Sequence, residues 1–106
     1  VPMYLWQASY TVDGLKGLRK DGGTKRRAAV QQMVEKAGGK QHAFYFAFGD
    51  SDVCGIAEFP DHATAIGLSL AVNASGAVSF RTTVLVTPEE MDAGVKKAIA
   101  YSPPGA

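Results

Sequence analysis

Residues 40–59 read KQHAFYFAFGDSDVCGIAEF, and their pattern sets the fold. From 41 to 48 the side chains alternate: His42, Phe44, Phe46 and Phe48 point one way, Gln41, Ala43, Tyr45 and Ala47 the other. That is the period-two spacing of a β-strand with one heavily buried face. Gly49-Asp50-Ser51-Asp52 is a turn by composition. Val53–Phe59 reads as a second strand, so the stretch is a hairpin. Pro60, which has no backbone donor to offer, stops it.

Working outward, Asp61 caps a helix running to about Asn73, closed by Ser75-Gly76. A further alternation follows, with Val78, Phe80, Thr82, Val84 and Val86 on one face and Ser79, Arg81, Thr83 and Leu85 on the other. Thr87-Pro88-Glu89-Glu90 then places a capping hydroxyl, a proline at the first helical position and a glutamate at the third, a capping box. Met91, Val95, Ala98 and Ile99 give that last helix an apolar stripe.

Before the hairpin, residues 3–10 (MYLWQASY) read as a strand with apolar residues on both sides. Thr11 offers an N-cap to a short helix carrying Leu15 and Leu18. Lys20-Asp21-Gly22-Gly23 interrupts it, and Thr24 restarts it. Val30, Met33, Val34 and Ala37 then form the apolar face, and Gly38-Gly39 ends the helix.

The order is β-α-β-β-α-β plus a C-terminal helix. This predicts an α+β fold with the ferredoxin-like, split βαβ arrangement over residues 1–100, and a disordered tail over 101–106. Helices cover one face of a four-stranded, mainly antiparallel sheet, and the other face stays bare. Trp6 or its neighbours, Tyr45 and Leu85 are expected on that bare face. Several hundred Å² of apolar surface left in water is costly, so a homodimer or higher homo-oligomer is expected.

Composition narrows the class. Eleven Lys+Arg against ten Asp+Glu leave a net charge of +1 over 106 residues, which makes nucleic acid an unlikely partner because phosphate binding needs surplus positive charge. Cys54 is the single cysteine, so no internal disulfide and no Cys-rich zinc site is expected. No apolar run is long enough to cross a bilayer as a helix. The first residues, VPMYLW, carry no signal-peptide pattern, and a cytoplasmic setting is expected.

The chain resembles the GYD domain family. Tyr10-Thr11 with Gly14, the helix end Ala37-Gly38-Gly39-Lys40, Phe48 to Val53, Glu58-Phe59-Pro60-Asp61, Gly76-Ala77-Val78 and Arg81-Thr82-Thr83 carry the likeness. Of the Gly, Tyr, Asp signature in the hairpin turn, Gly49 and Asp52 are present, and Ser51 stands where the tyrosine is expected. The resemblance implies a small stand-alone protein of the dimeric α/β-barrel group. It implies fold and assembly, and no particular reaction.

The chemistry-bearing residues are few. Asp50 and Asp52, one residue apart, could hold a cation or supply a general base; short carboxylates in a turn also accept backbone N–H bonds. His42 is a candidate proton shuttle or the end of the core. His62, in a first helical turn, reads as solvated. Arg81, Glu58, Trp6 and Tyr45, if they share the bare face, would bind an anionic or carbonyl-bearing small molecule, or else form an interface salt bridge with aromatic packing. Cys54 reads as a small buried hydrophobe. Lys25-Arg26-Arg27 reads as a solvated helix face. No cofactor or metal is expected. The leading expectation is an accessory or small-ligand-binding module with its pocket at the open sheet face. The alternative is a cofactor-independent isomerase or monooxygenase acting on a hydrophobic substrate, with His42 or Asp52 as base and Arg81 as oxyanion partner. A regulator using the basic helix on nucleic acid is the weakest reading.

Overall fold

A computed structural model describes residues 1–105; Ala106, the end of the tail read as disordered, lies outside the described residues. The chain runs β1 (Met3–Tyr10), α1 (Val12–Asp21), α2 (Gly23–Lys36), β2 (Lys40–Phe46), β3 (Val53–Glu58), α3 (His62–Ala74), β4 (Val78–Leu85) and α4 (Pro88–Lys96). The strands form one sheet in the order β2-β3-β1-β4, every neighbour antiparallel. This is the ferredoxin-like arrangement read from the sequence.

Local chemistry fixes the helix starts. The side chains of Thr11, Asp61 and Thr87 accept N–H bonds from Gly14, Thr64 and Glu90, and Glu90 returns a bond to the Thr87 N–H, completing the capping box. The interruption near residue 22 divides two helices, because Gly22 adopts φ +80°, which glycine reaches without steric cost. Gly14 is needed for another reason: a Cβ there would collide with the Ala77 carbonyl and crowd the Tyr10 ring.

The core lies between the sheet and the helices. From β1 it takes Tyr4, Trp6 and Ala8, from β3 Val53 and Ala57, and it adds Val34, Phe59, Ala65 and Val78. Trp6 is 5% exposed and faces the helices, which corrects its expected place on the bare face. Both sides of β1 carry apolar residues, so alternation alone could not orient it. What decides is the partner strand: Gly55 sits opposite Trp6, and a Cβ there would come within 2.5 Å of the indole.

His42 is corrected in the same way. A β-bulge between Gln41 and Ala43 adds one residue to β2, so His42 leaves the face of Phe44 and Phe46 and pairs with Glu58 on the open side. Gln41 donates from its side-chain amide to the Ala43 carbonyl, bridging the bulge. β2 ends at Phe46, and Phe48 is fully exposed beyond it.

The open face carries Met3, Leu5, Gln7 and Ser9 from β1, Cys54, Ile56 and Glu58 from β3, Ala43 and Tyr45 from β2, and Ser79, Arg81, Thr83 and Leu85 from β4. It has an apolar patch, with Leu5 opposite Ile56 and, at the strand ends, Met3 opposite Leu85. Every residue of α4 is exposed. The radius of gyration, 17.0 Å, exceeds the roughly 13 Å of a compact chain this long, in keeping with a terminal helix standing off the body.

Candidate functional site

α2 packs over β2 and α3 over β4, so the two strands between their footprints, β3 and β1, lie beneath the gap separating the helices. A cleft opens there, floored by Trp6. The indole stacks on Phe80 with centroids 5.8 Å apart and leans on Phe44 at 5.6 Å. Val30, Leu68 and Val72 form the walls around an inner void of about 50 Å³. Tyr10, Arg26 and Met33 line both this void and an outer chamber of about 400 Å³ between α1, α2 and α3, rimmed by Asp13, Asp21 and Ser75. An apolar well thus ends in a mouth that presents one guanidinium and one phenol.

Burial raises the Tyr10 phenol above its ordinary pKa; the Arg26 guanidinium beside it pulls the other way, and the Asp52 carboxylate adds to the rise. Tyr10 therefore keeps its proton at physiological pH, and its hydroxyl and the Arg26 guanidinium make a donor pair suited to an oxygen-bearing ligand. Sequence reading assigned Arg26 to a solvated basic face. Within that triplet Lys25 does remain in solvent, 3.5 Å from Asp21, while Arg26 is half-buried toward the cleft. The available signal was helical spacing: Arg26, Val30 and Met33 share one face.

A second groove, also about 400 Å³, runs between α3 and β4 and is lined by Tyr4, His62, Ile66, Leu70 and Val84. The buried Tyr4 hydroxyl is hydrogen-bonded to His62 Nδ1 at 2.5 Å. Burial, then the nearby Asp61 carboxylate, raises the Tyr4 phenol. His62 is exposed as expected, yet it also satisfies the one polar atom that Tyr4 brings into the core.

The residues singled out from the sequence lie on different elements. His42 Nε2 donates to Glu58 Oε1 at 3.2 Å on the open face at the β2 side. Tyr45 is 69% exposed on the same face. Arg81 lies opposite Gln7 on β4, at the other edge, three strand spacings or about 14 Å from β2. Asp52 is at the turn end of β3, where Oδ2 accepts the Tyr10 N–H at 2.8 Å; its carboxylate holds two strands together. Cys54 is half-buried on the open face. His42, Asp52 and Arg81 thus do not converge within one chain, and Trp6 is separated from Tyr45, Glu58 and Arg81 by the thickness of the sheet. Among the described residues no three His, Cys, Asp or Glu side chains come together as metal ligands.

An antiparallel sheet ordered β2-β3-β1-β4, with helices on one side and an aromatic-floored cleft beneath them, defines a small open-faced domain of the ferredoxin-like class. The chain belongs to the GYD domain family, whose model matches residues 4–95. No curated protein matches the chain, and no solved structure does. Ser51, standing where the signature tyrosine is expected, is buried. Among the described residues no helix is long and apolar enough to cross a membrane.

Proposed function

We propose that this protein is a homo-oligomeric module that binds a small apolar molecule bearing an acidic or carbonyl oxygen. The single observation carrying the reading is the Trp6-floored cleft with Arg26 and Tyr10 at its mouth. The inner void is too small for a whole ligand, so a ring or short chain would enter it while the polar end rests in the outer chamber beside Arg26. Self-association rests on the open face, where Met3, Leu5, Ile56 and Leu85 make an apolar patch, each of them only part-buried in a solitary chain. The pocket of this reading lies on the helix side; the open face serves as the contact between copies.

The isomerase or monooxygenase alternative has less to stand on: of its two candidate bases, His42 lies on the sheet edge opposite Arg81, and the Asp52 carboxylate accepts the Tyr10 N–H.

Trp6 is the only tryptophan, so its fluorescence reports the cleft directly. Titration with 1-anilinonaphthalene-8-sulfonate, an apolar ring system with one anionic group, is expected to show saturable energy transfer from Trp6. Arg26→Leu removes a charge-assisted contact and is expected to weaken this by roughly 10- to 100-fold. Native mass spectrometry of protein taken from its own cell extract is expected to show an oligomer retaining a small molecule. Equal probe binding by Arg26→Leu, with no retained molecule, would defeat the ligand reading.

A further inference from the structure

Two unpartnered apolar surfaces of this chain have matching form. α4 presents Met91 and Val95 at i, i+4 along one side, Ile99 follows three residues past the end of the helix, and each is more than half exposed. The groove between α3 and β4 presents Ile66 and Leu70, again at i, i+4, with Val84 facing them from the strand, and each of these is also more than half exposed. A nine-residue helix is marginal in water and needs a packed face to persist. Its cap is nonetheless fully built, with Thr87 extended at φ −78°, ψ 161° and Pro88 locking the first turn. The cap directs the helix off the end of β4, and the only residues between strand and helix are Val86 and Thr87. Held this way, α4 leaves every one of its residues exposed rather than packed on its own α3.

We infer that α4 docks in the α3–β4 groove of a second copy, and that the exchange is reciprocal. Reciprocity closes the assembly: each copy gives one arm and receives one, so a two-fold pair leaves no free groove and no free arm. The six named side chains each bare on the order of 100 Å², so filling both grooves hides roughly 1,200 Å², the lower bound of a stable specific interface. That surface adds to the open-face contact, and the inference rests on the self-association proposed above but not on the cleft ligand. The docked stripe would also cover the mouth of the groove holding the Tyr4–His62 pair.

Mixed disulfide trapping tests this in the full chain. In a Cys54→Ser background, one preparation carries Ile66→Cys or Leu70→Cys and the other Met91→Cys, Val95→Cys or Ile99→Cys; all these sites are exposed, so the variants should fold. The six pairwise mixtures are oxidised mildly and mapped by peptide mass. At least one groove–arm disulfide is expected between the two chains, and the corresponding double variant is expected to give a covalent dimer on a non-reducing gel. No disulfide in any mixture, a double variant that closes within its own chain, or a ladder of larger covalent species would each overturn the reciprocal exchange. If the exchange fails while native mass spectrometry still reports an oligomer, the open-face contact stands without it.

Discussion

Asn73 and Phe80 are joined twice across the turn between α3 and β4: the Asn73 amide donates to the Phe80 carbonyl at 3.1 Å, and the Phe80 N–H donates to Asn73 Oδ1 at 2.7 Å. β4 is an edge strand with no further strand beyond it, so these backbone groups would otherwise face water. The side-chain amide stands in for the missing strand and ties α3 to the ring that stacks on Trp6.

Asn73→Ala is therefore expected to destabilise the protein by about 1 kcal/mol, as two solvent-accessible bonds are exchanged for water. Asn73→Asp should be worse than Asn73→Ala, because a carboxylate oxygen would then meet the Phe80 carbonyl. Urea unfolding followed by Trp6 fluorescence checks the ranking, and equal midpoints for the two variants would contradict it.

The Tyr10–Asp52 bond carries a similar load at the same end of β1, on its β3 side. Asp52 accepts the Tyr10 N–H through its side chain and, through its own backbone, donates to Ala8 and accepts from Ala47. Asp52→Ala leaves a part-buried N–H facing a void and should cost about 2 kcal/mol, with Asp52→Asn retaining most of the stability. A catalytic Asp52 would instead leave stability unchanged on either substitution, so denaturant midpoints separate the roles.

Acid stability has an identifiable contribution from the α3 cap. The Thr64 hydroxyl and then the Thr64 N–H hold the Asp61 carboxyl below its ordinary value of 3.8. The unfolded chain therefore takes up this proton at higher pH than the native one. The cap's contribution is full above about pH 4 and is lost as pH falls through the depressed native value. Asp61→Asn, which caps nearly as well at neutral pH, should show a flatter fall in urea midpoint as pH is taken below about 4. Parallel curves for the two proteins would refute the assignment.

Alkali should act on Tyr4. Its phenol is raised above 10.0, first by burial and then by Asp61, so the native state holds its proton longer than the unfolded chain. Stability is full below that ordinary value and lost as pH rises beyond it. Tyr4→Phe gives up the bond to His62, about 1 kcal/mol at neutral pH, and should lose less than the parent between about pH 9 and pH 11. Some alkaline loss remains in the variant because Tyr10 is raised too. Identical alkaline slopes would show that Tyr4 is not among the groups responsible.

The amino-acid sequence determined the element order, the hairpin and the three side-chain caps, because these depend on contacts within a few residues: alternation in strands, a hydroxyl or carboxylate three residues from an N–H, a glycine at positive φ; the split βαβ topology was legible only through that element order. It also placed Val78, Phe80, Thr82 and Val84 on the core side of β4, where the alternation is unbroken. Tertiary structure alone decided which side of β1 faces the helices, since both sides are apolar and only the bare Cα of Gly55 on the neighbouring strand makes room for Trp6. It alone moved His42 across the sheet, because one extra residue at the bulge reverses the facing of the side chain and depends on the pairing of β2 with β3. The cleft was hidden for the same reason: Trp6, Tyr10 and Arg26 meet only when α2 and α3 stand apart over the sheet, and that gap is set by packing between segments far apart in the chain.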